Sequence, residues 1–307
     1  MKLTRDTATP IPGTRFIDPK VLARVSSLEL VAKTVVSGFI SGLHRAPYLG
    51  LSSEFAEHRP YMPGDDVRRI DWRVYGRTDR LFVREYQAET NANLTLVLDV
   101  SRSMEFSSAG ISKLEYGRYL AASLGYLSLQ QRDRVGLITF DEGVVTWVPP
   151  SVKHFDRVLH ELDTARAERA GNFAKPLATV ARTLGRRGIV ALISDLYVEP
   201  KILLDSLAEL RYRGHDVLVF HILDPDEVEL PGTQARQFQD MESGIRIPVV
   251  HDQMRETYAN AVHAHMETLH RRLGEHRIDY RFFDTSEPLD HALFEYLSER
   301  QHRMQAR

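Results

Sequence analysis

Three observations predict an α/β fold: a doubly wound, mostly parallel sheet with a small β-rich N-terminal and inserted subdomain. Short apolar runs recur along the chain, and four of them end in an acid, at Asp99, Asp195, Asp224 and Asp284. Helical patterns separate these runs, the rhythm of strands buried on both faces of a parallel sheet. Two stretches, roughly 50–90 and 229–250, break that rhythm and read as extended chain and a β-hairpin.

The chain has 307 residues, enough for one large domain or two modest ones with a real core. Hydrophobic residues at 43% and charged residues at 27% exclude a disordered chain. Forty Lys and Arg against 42 Asp and Glu give no general pull toward nucleic acid or anionic lipid. With no Cys, disulfides, iron–sulfur clusters, thiolate zinc sites and cysteine nucleophiles are excluded, and the cytoplasm is the expected location. The opening MKLTRDTATPIPGTRF lacks the apolar core of a signal peptide. The most apolar stretch, 28–43, contains Lys33 and is shorter than the roughly 20 residues that span a bilayer, so a buried helix and no membrane span are expected.

In order, the first twenty residues are a loose tail by their Pro and Gly content, and 28–43 is a helix. Residues 59–89 interleave seven Arg with six acids, around the block GDDVRRIDW. Arg68, Arg69 and Arg73 among Asp65, Asp66 and Asp71 point to internal Arg–carboxylate pairing, with Trp72 as an apolar anchor, in preference to a hydrolytic metal cluster. NLTLVLDV is the first core strand. KLEYGRYLAASLGYLSLQ is a helix with a small-residue ridge at Gly117, Ala121 and Gly125. RVGLITF, the turn Asp141-Glu142-Gly143 and VVTWVPP form a hairpin at one edge of the sheet. Helices near 153–164 and 176–184 precede the run GIVALISDL, and PKILLDSLAELRYRG leads to HDVLVFHIL. After the inserted hairpin 229–250, a long helix over 252–276 leads to IDYRFFDT, and a last helix covers about 288–302. Residues 1–92 are read as an extension carrying GDDVRRIDW, and 93–307 as the α/β domain. The extended stretch 50–90 and the hairpin 229–250 are expected to pack together, since a lone hairpin is barely stable in water.

Ligands of open α/β sheets bind beyond the carboxyl ends of the strands. An Asp there commonly does no more than cap the next helix. Asp99 differs because Asp99-Val100-Ser101-Arg102-Ser103 sets one carboxylate and two hydroxyls on a tight loop. These are hard oxygen ligands suited to Mg²⁺ or Mn²⁺, with too little charge for a tight calcium cage, and Asp195 would complete the set. As a carboxylate at the end of a strand, Asp99 is expected to hold little of the core together. Glu267, His270 and His263 share a helix face, but nothing supplies the second Glu-x-x-His pair of a di-metal bundle, so a solvated face is expected.

Asp-x-Ser-x-Ser after an apolar strand, in this order of elements, resembles the von Willebrand factor A domain and its metal-ion-dependent adhesion site. The run from GLSSEFAEHRPYMPGDDVRRIDW to LVLDVSRSM, with RVGLITF, LISDL, HDVLVFHILDPDEVELP and FQDMESG, resembles the bacterial domain-of-unknown-function family fifty-eight over about residues 30–290. By that resemblance the two serines ligate the metal, the acids act mostly through water, and a threonine from a later loop adds a ligand. Asp99, Ser101, Ser103 and Asp195 match. In Arg169-Ala170-Gly171-Asn172-Phe173, Asn172 stands where the threonine is expected, and its carbonyl would ligate more weakly. The position left open is filled by a partner's carboxylate, which is adhesion and not turnover. Members of the family are often encoded beside MoxR-type AAA+ ATPases, so the resemblance implies a non-enzymatic adaptor for such an ATPase, assembling or remodelling other proteins. The competing readings are an interaction module with an inactive metal site, and an aspartyl-phosphate phosphotransferase using Asp99. The latter needs a second acid two residues on, where Ser101 stands.

Overall fold

The computed structural model describes residues 19–22, 27–45, 58–61, 72–84, 92–108, 110–185, 187–230, 236–239, 246–249, 252–290 and 293. In chain order the elements are α1 (Pro19–Leu22), α2 (Leu28–Arg45), β1 (His58–Pro60), α3 (Trp72–Thr78), β2 (Phe82–Arg84) and β3 (Asn93–Asp99). Then come α4 (Lys113–Gln130), β4 (Arg134–Phe140), β5 (Val144–Ser151), α5 (Phe155–Thr164), α6 (Ala174–Thr183), β6 (Ile189–Ser194) and α7 (Pro200–Tyr212). The chain continues with β7 (Asp216–Leu223), α8 (Pro225–Val228), β8 (Arg236–Gln239), β9 (Arg246–Val249), α9 (Asp252–Glu275) and β10 (Asp279–Asp284).

The central sheet has six strands in the order β10-β7-β6-β3-β4-β5. The four runs expected as central strands are mutually parallel, and β4 joins them; only β5 is antiparallel, at the edge. That edge position is why Pro149 and Pro150 are tolerated at the end of β5, since no further strand asks for their missing N–H. The winding starts at β3, runs out through β4 to β5, then returns to the other side of β3 with β6. The gap between β3 and β6 is therefore the topological switch point, where open α/β sheets bind ligands.

Apolar strands buried on both faces need a helical layer on each, and both layers are present. Leu96, Leu98, Val135, Leu137, Ile193 and Phe220 face a core filled by α4 and α5. Val97, Ile138, Leu192, Val217 and Val219 face Leu177, Leu203, Leu207 and Leu269 from α6, α7 and α9. Val31, Ala32 and Val35 of α2 belong to the first of these cores, so the helix upstream of residue 92 is part of the α/β body. The small-residue ridge of α4 lies against the sheet: a Cβ on Gly117 would meet Leu98 at 3.1 Å and Ile193 at 3.3 Å.

The two segments that break the rhythm each form a two-stranded antiparallel sheet, β1 with β2 and β8 with β9. The side chains that would join these ribbons lie outside the described residues, as do nearly all of GDDVRRIDW and most of the helix expected over 288–302. Trp72 is described and is no core anchor: it is 62% exposed, with its ring edge-on to Tyr75 at 6.0 Å. Among the described residues no helix is long and apolar enough to cross a membrane.

Candidate functional site

The carboxyl ends of β3 and β6 meet at the switch point. Past Asp99 the chain turns at once, because the Ser101 backbone N–H donates to Asp99 Oδ1 at 2.8 Å. The Ser194 hydroxyl, from the end of β6, donates to the other oxygen, Asp99 Oδ2, at 2.7 Å. This turn leads into a single 3-10 turn, Arg102–Glu105, and brings the Ser101 and Ser103 hydroxyl oxygens to 3.1 Å from each other. Ser101 also forms a parallel bridge to Arg169, and the Arg102 N–H donates to the Arg169 carbonyl at 2.7 Å. The Arg102 guanidinium donates to the Glu168 carbonyl at 2.8 and 3.1 Å, fastening the 165–172 loop against the serines.

Asp99 is 1% exposed, which overturns the expectation of a surface carboxylate with little hold on the fold. Burial, and then the nearby charge of Asp195, push its carboxyl up to about 7.

The dominant charge of the site is one that sequence reasoning missed. The Lys113 ammonium, fully buried at the first position of α4, donates to Asp195 Oδ2 and to Glu227 Oε1, each at 2.7 Å. It also lies 4.9 Å from the centroid of the Tyr197 ring. Burial works against an ammonium here, but the attraction of Asp195 and Glu227 outweighs it and raises the Lys113 pKa. A helix N-terminus is the unfavourable end for a cation, and here Asp195 and Glu227 offset it. Glu227 is fixed by the capping box that Asp224-Pro225-Asp226-Glu227 spells: its Oε2 accepts the Asp224 N–H at 3.0 Å.

Beneath Asp195, His221 is wholly buried. Its Nε2 lies 2.8 Å from the Asp195 carbonyl and its Nδ1 lies 2.7 Å from the Tyr280 hydroxyl. A carbonyl only accepts, so Nε2 carries the proton and Nδ1 accepts from Tyr280. Burial lowers the His221 pKa to about 3, which keeps the ring neutral. The next residue along the loop, Leu196, is buried with φ at +52°, in the left-handed region that branched side chains avoid. Its N–H donates to Ser194 Oγ at 3.0 Å, so one hydroxyl holds both this turn and Asp99.

Asp99 and Asp195 therefore share one buried site, and Ser101 and Ser103 pair beside Asp99 at the same end of the sheet. Asn172 lies in the neighbouring loop, where its N–H donates to the Asp141 carbonyl. Its side chain is exposed and its carbonyl accepts the Lys175 N–H at 3.3 Å, which serves the start of α6. The other two strand-end acids serve local structure: Asp224 caps α8 and Asp284 closes the turn after β10. Asp224 accepts from Asp226 and from Ser108, and Asp284 from Ser286 at 2.8 and 2.6 Å. The α9 acid and imidazoles behave as a helix face: Glu267 and His270 are exposed, and His270 sets its ring edge-on to Tyr280.

Two buried neutral hydroxyls 3.1 Å apart, with the Asp99 carboxylate beside them, are hard oxygens of the type a divalent cation takes. The fit is lean. Among the described residues no group of three or more His, Cys, Asp or Glu is placed to hold a metal, and Asp195 already spends one oxygen on Lys113.

A family profile described as "Protein of unknown function DUF58" matches residues 57–268. Uncharacterized proteins of Mycobacterium tuberculosis and Mycobacterium bovis are each 34% identical over 254 residues, covering 81% of this chain and 80% of theirs. Among solved structures, BatB from Bacteroides thetaiotaomicron aligns over 68% of this chain and 98% of its own, with 16% identity and a TM-score of 0.46. An aerotolerance-related membrane protein from Bacteroides fragilis aligns over 68% and 99%, with 18% identity and a TM-score of 0.47. The SpRpn10 VWA domain aligns over 66% and 94%, with 10% identity and a TM-score of 0.36.

Proposed function

The chain belongs to the family described as protein of unknown function DUF58, and on that premise we propose that it is a non-enzymatic protein-interaction module working in the cytoplasm. Its docking face is the carboxyl rim of the sheet at the switch point between β3 and β6. The observation that carries this reading is the Ser101–Ser103 hydroxyl pair, held at 3.1 Å by the Asp99 turn. Ser101 and Ser103 would hold Mg²⁺ or Mn²⁺, with Asp99 and Asp195 contributing mostly through water. A bound cation supplies one thing here, a Lewis-acidic position for a partner's Asp or Glu. The chain's own residues do the rest. Ser194 and the Ser101 N–H orient Asp99, and Arg102 clamps the flanking loop.

Phosphoryl transfer to Asp99 fits the geometry poorly. A phosphate-accepting carboxylate needs a free, reachable oxygen, whereas both oxygens of Asp99 are hydrogen-bonded and the residue is buried. The partner we propose is a MoxR-type AAA+ ATPase, with this chain as its adaptor in assembling or remodelling other proteins. The test is binding of the purified chain to such an ATPase in Mg²⁺ and in EDTA, alongside Ser101→Ala/Ser103→Ala. Binding in Mg²⁺ that EDTA and the double variant each abolish is expected. Binding indifferent to both would overturn the cation-dependent docking.

A further inference from the structure

We propose that Lys113 is the site's resident cation: by holding Asp195 in an ion pair, it sets how weakly Ser101 and Ser103 retain a divalent ion, and so makes retention depend on the partner's carboxylate. This rests on the cation reading above and goes beyond it, naming the residue that tunes the site.

The geometry leaves Lys113 no other place to go. Its carbon stem is fully buried, Asp195 and Glu227 each sit 2.7 Å from Nζ, and the Tyr197 ring closes a further side. Glu227 is held by the capping box of α8 and by the Tyr258 hydroxyl, which donates to its carbonyl at 2.8 Å. Lys113 is thus held against two carboxylates, of which Glu227 is fixed by its own capping box, so Asp195 is already paired when a divalent ion arrives. Asp195 and Glu227 bring two negative charges and Lys113 cancels one of them. A second cation drawn toward Asp195 meets both a carboxylate already spoken for and a like charge close by, in a buried place where screening is poor. A partner's carboxylate restores the missing negative charge, which is the physical reason retention and docking would be linked.

The test is calorimetry of Mn²⁺ with the whole chain and with Lys113→Met/Glu227→Gln. That double variant removes one charge of each sign, so local net charge is kept while Asp195 is released from its ammonium. We expect it to bind Mn²⁺ at least about tenfold more tightly than the natural chain. Adding Ser101→Ala/Ser103→Ala should remove the gain. Lys113→Gln/Glu227→Gln repeats the comparison with polar side chains should the Met form not fold. Equal or weaker binding by folded variants, or a gain that survives loss of the two hydroxyls, overturns the role of Lys113. If the natural chain binds and the variants bind no better, Lys113 is inert while the cation reading stands. If neither binds, both fall. Binding by the variants alone would support the role of Lys113 and leave retention by the natural chain to the partner's carboxylate.

Discussion

Lys113 Nζ lies 2.7 Å from Asp195 Oδ2, with the lysine fully buried and the aspartate 2% exposed. A buried pair of this kind does little for net stability, because each ion gives up its hydration to form it. Its removal by halves is another matter.

Lys113→Met leaves the buried Asp195 and the half-buried Glu227 as neighbouring carboxylates without the ammonium between them. The expected loss is about 3–5 kcal/mol, the usual cost of stranding a buried charge. Adding Glu227→Gln removes one stranded charge and should recover a substantial part of it. Urea unfolding of the three chains at one pH measures both steps.

The sheet was legible because its strands are apolar on both faces and the helices between them carry one apolar stripe each. NLTLVLD and IVALIS needed no partner information to be read as central strands. The Asp99 turn was legible for a similar reason, since Asp-x-Ser-x-Ser is a local motif. Lys113 was not, because its partners are 82 and 114 residues away and only the fold brings them together. Asn172 entered the ligand set through the family resemblance alone, and what the fold adds is a local hydrogen bond from the Lys175 N–H to its carbonyl. The burial of Asp99 was also out of reach, since it depends on how closely the neighbouring loops cover the end of the sheet.

His221 gives the fold an acid-sensitive element. Its pKa is about 3 in the folded chain and near 6.5 when exposed, so between those values the unfolded chain binds a proton that the fold refuses. Its contribution to stability is therefore intact above pH 6.5 and lost as pH falls toward 3. At roughly 1.4 kcal/mol per pKa unit the loss is on the order of a few kcal/mol. His221→Gln should flatten this part of the profile, read as the difference between the two unfolding curves across that range.

Gly188 sits where β6 begins beside β3. A Cβ there would lie 2.4 Å from the Asn93 carbonyl oxygen, and a backbone atom held in a strand cannot step aside. Gly188→Ala should cost more than about 2 kcal/mol, well above the ordinary surface substitution. Gly185, three residues earlier, has nothing within 4 Å, and Gly185→Ala should be nearly neutral. Thermal unfolding of the two variants side by side gives the comparison.

Asp99 separates hydrogen bonding from charge. Its carboxyl is pushed up to about 7 by burial and by Asp195, against an unfolded value near 3.9. Between these values the fold holds a proton that the unfolded chain releases, so without a bound cation Asp99 makes the fold less stable as pH rises from about 4 to 7. The full penalty, on the order of a few kcal/mol, is present above that range. Asp99→Asn keeps an acceptor for the Ser101 N–H and offers an amide donor to Ser194 Oγ, while removing the buried charge. It should be more stable than the natural chain at pH 8 in EDTA and lose that advantage by pH 4. Asp99→Ala removes the charge too, but strands the Ser101 N–H and the Ser194 hydroxyl, at about 1–3 kcal/mol each. It should therefore fall clearly below Asp99→Asn at both pH values. Urea unfolding at pH 4 and pH 8 decides the matter. A natural chain whose stability relative to Asp99→Asn does not change with pH would mean that the carboxyl titrates normally and that the two strand-end acids do not share one buried site.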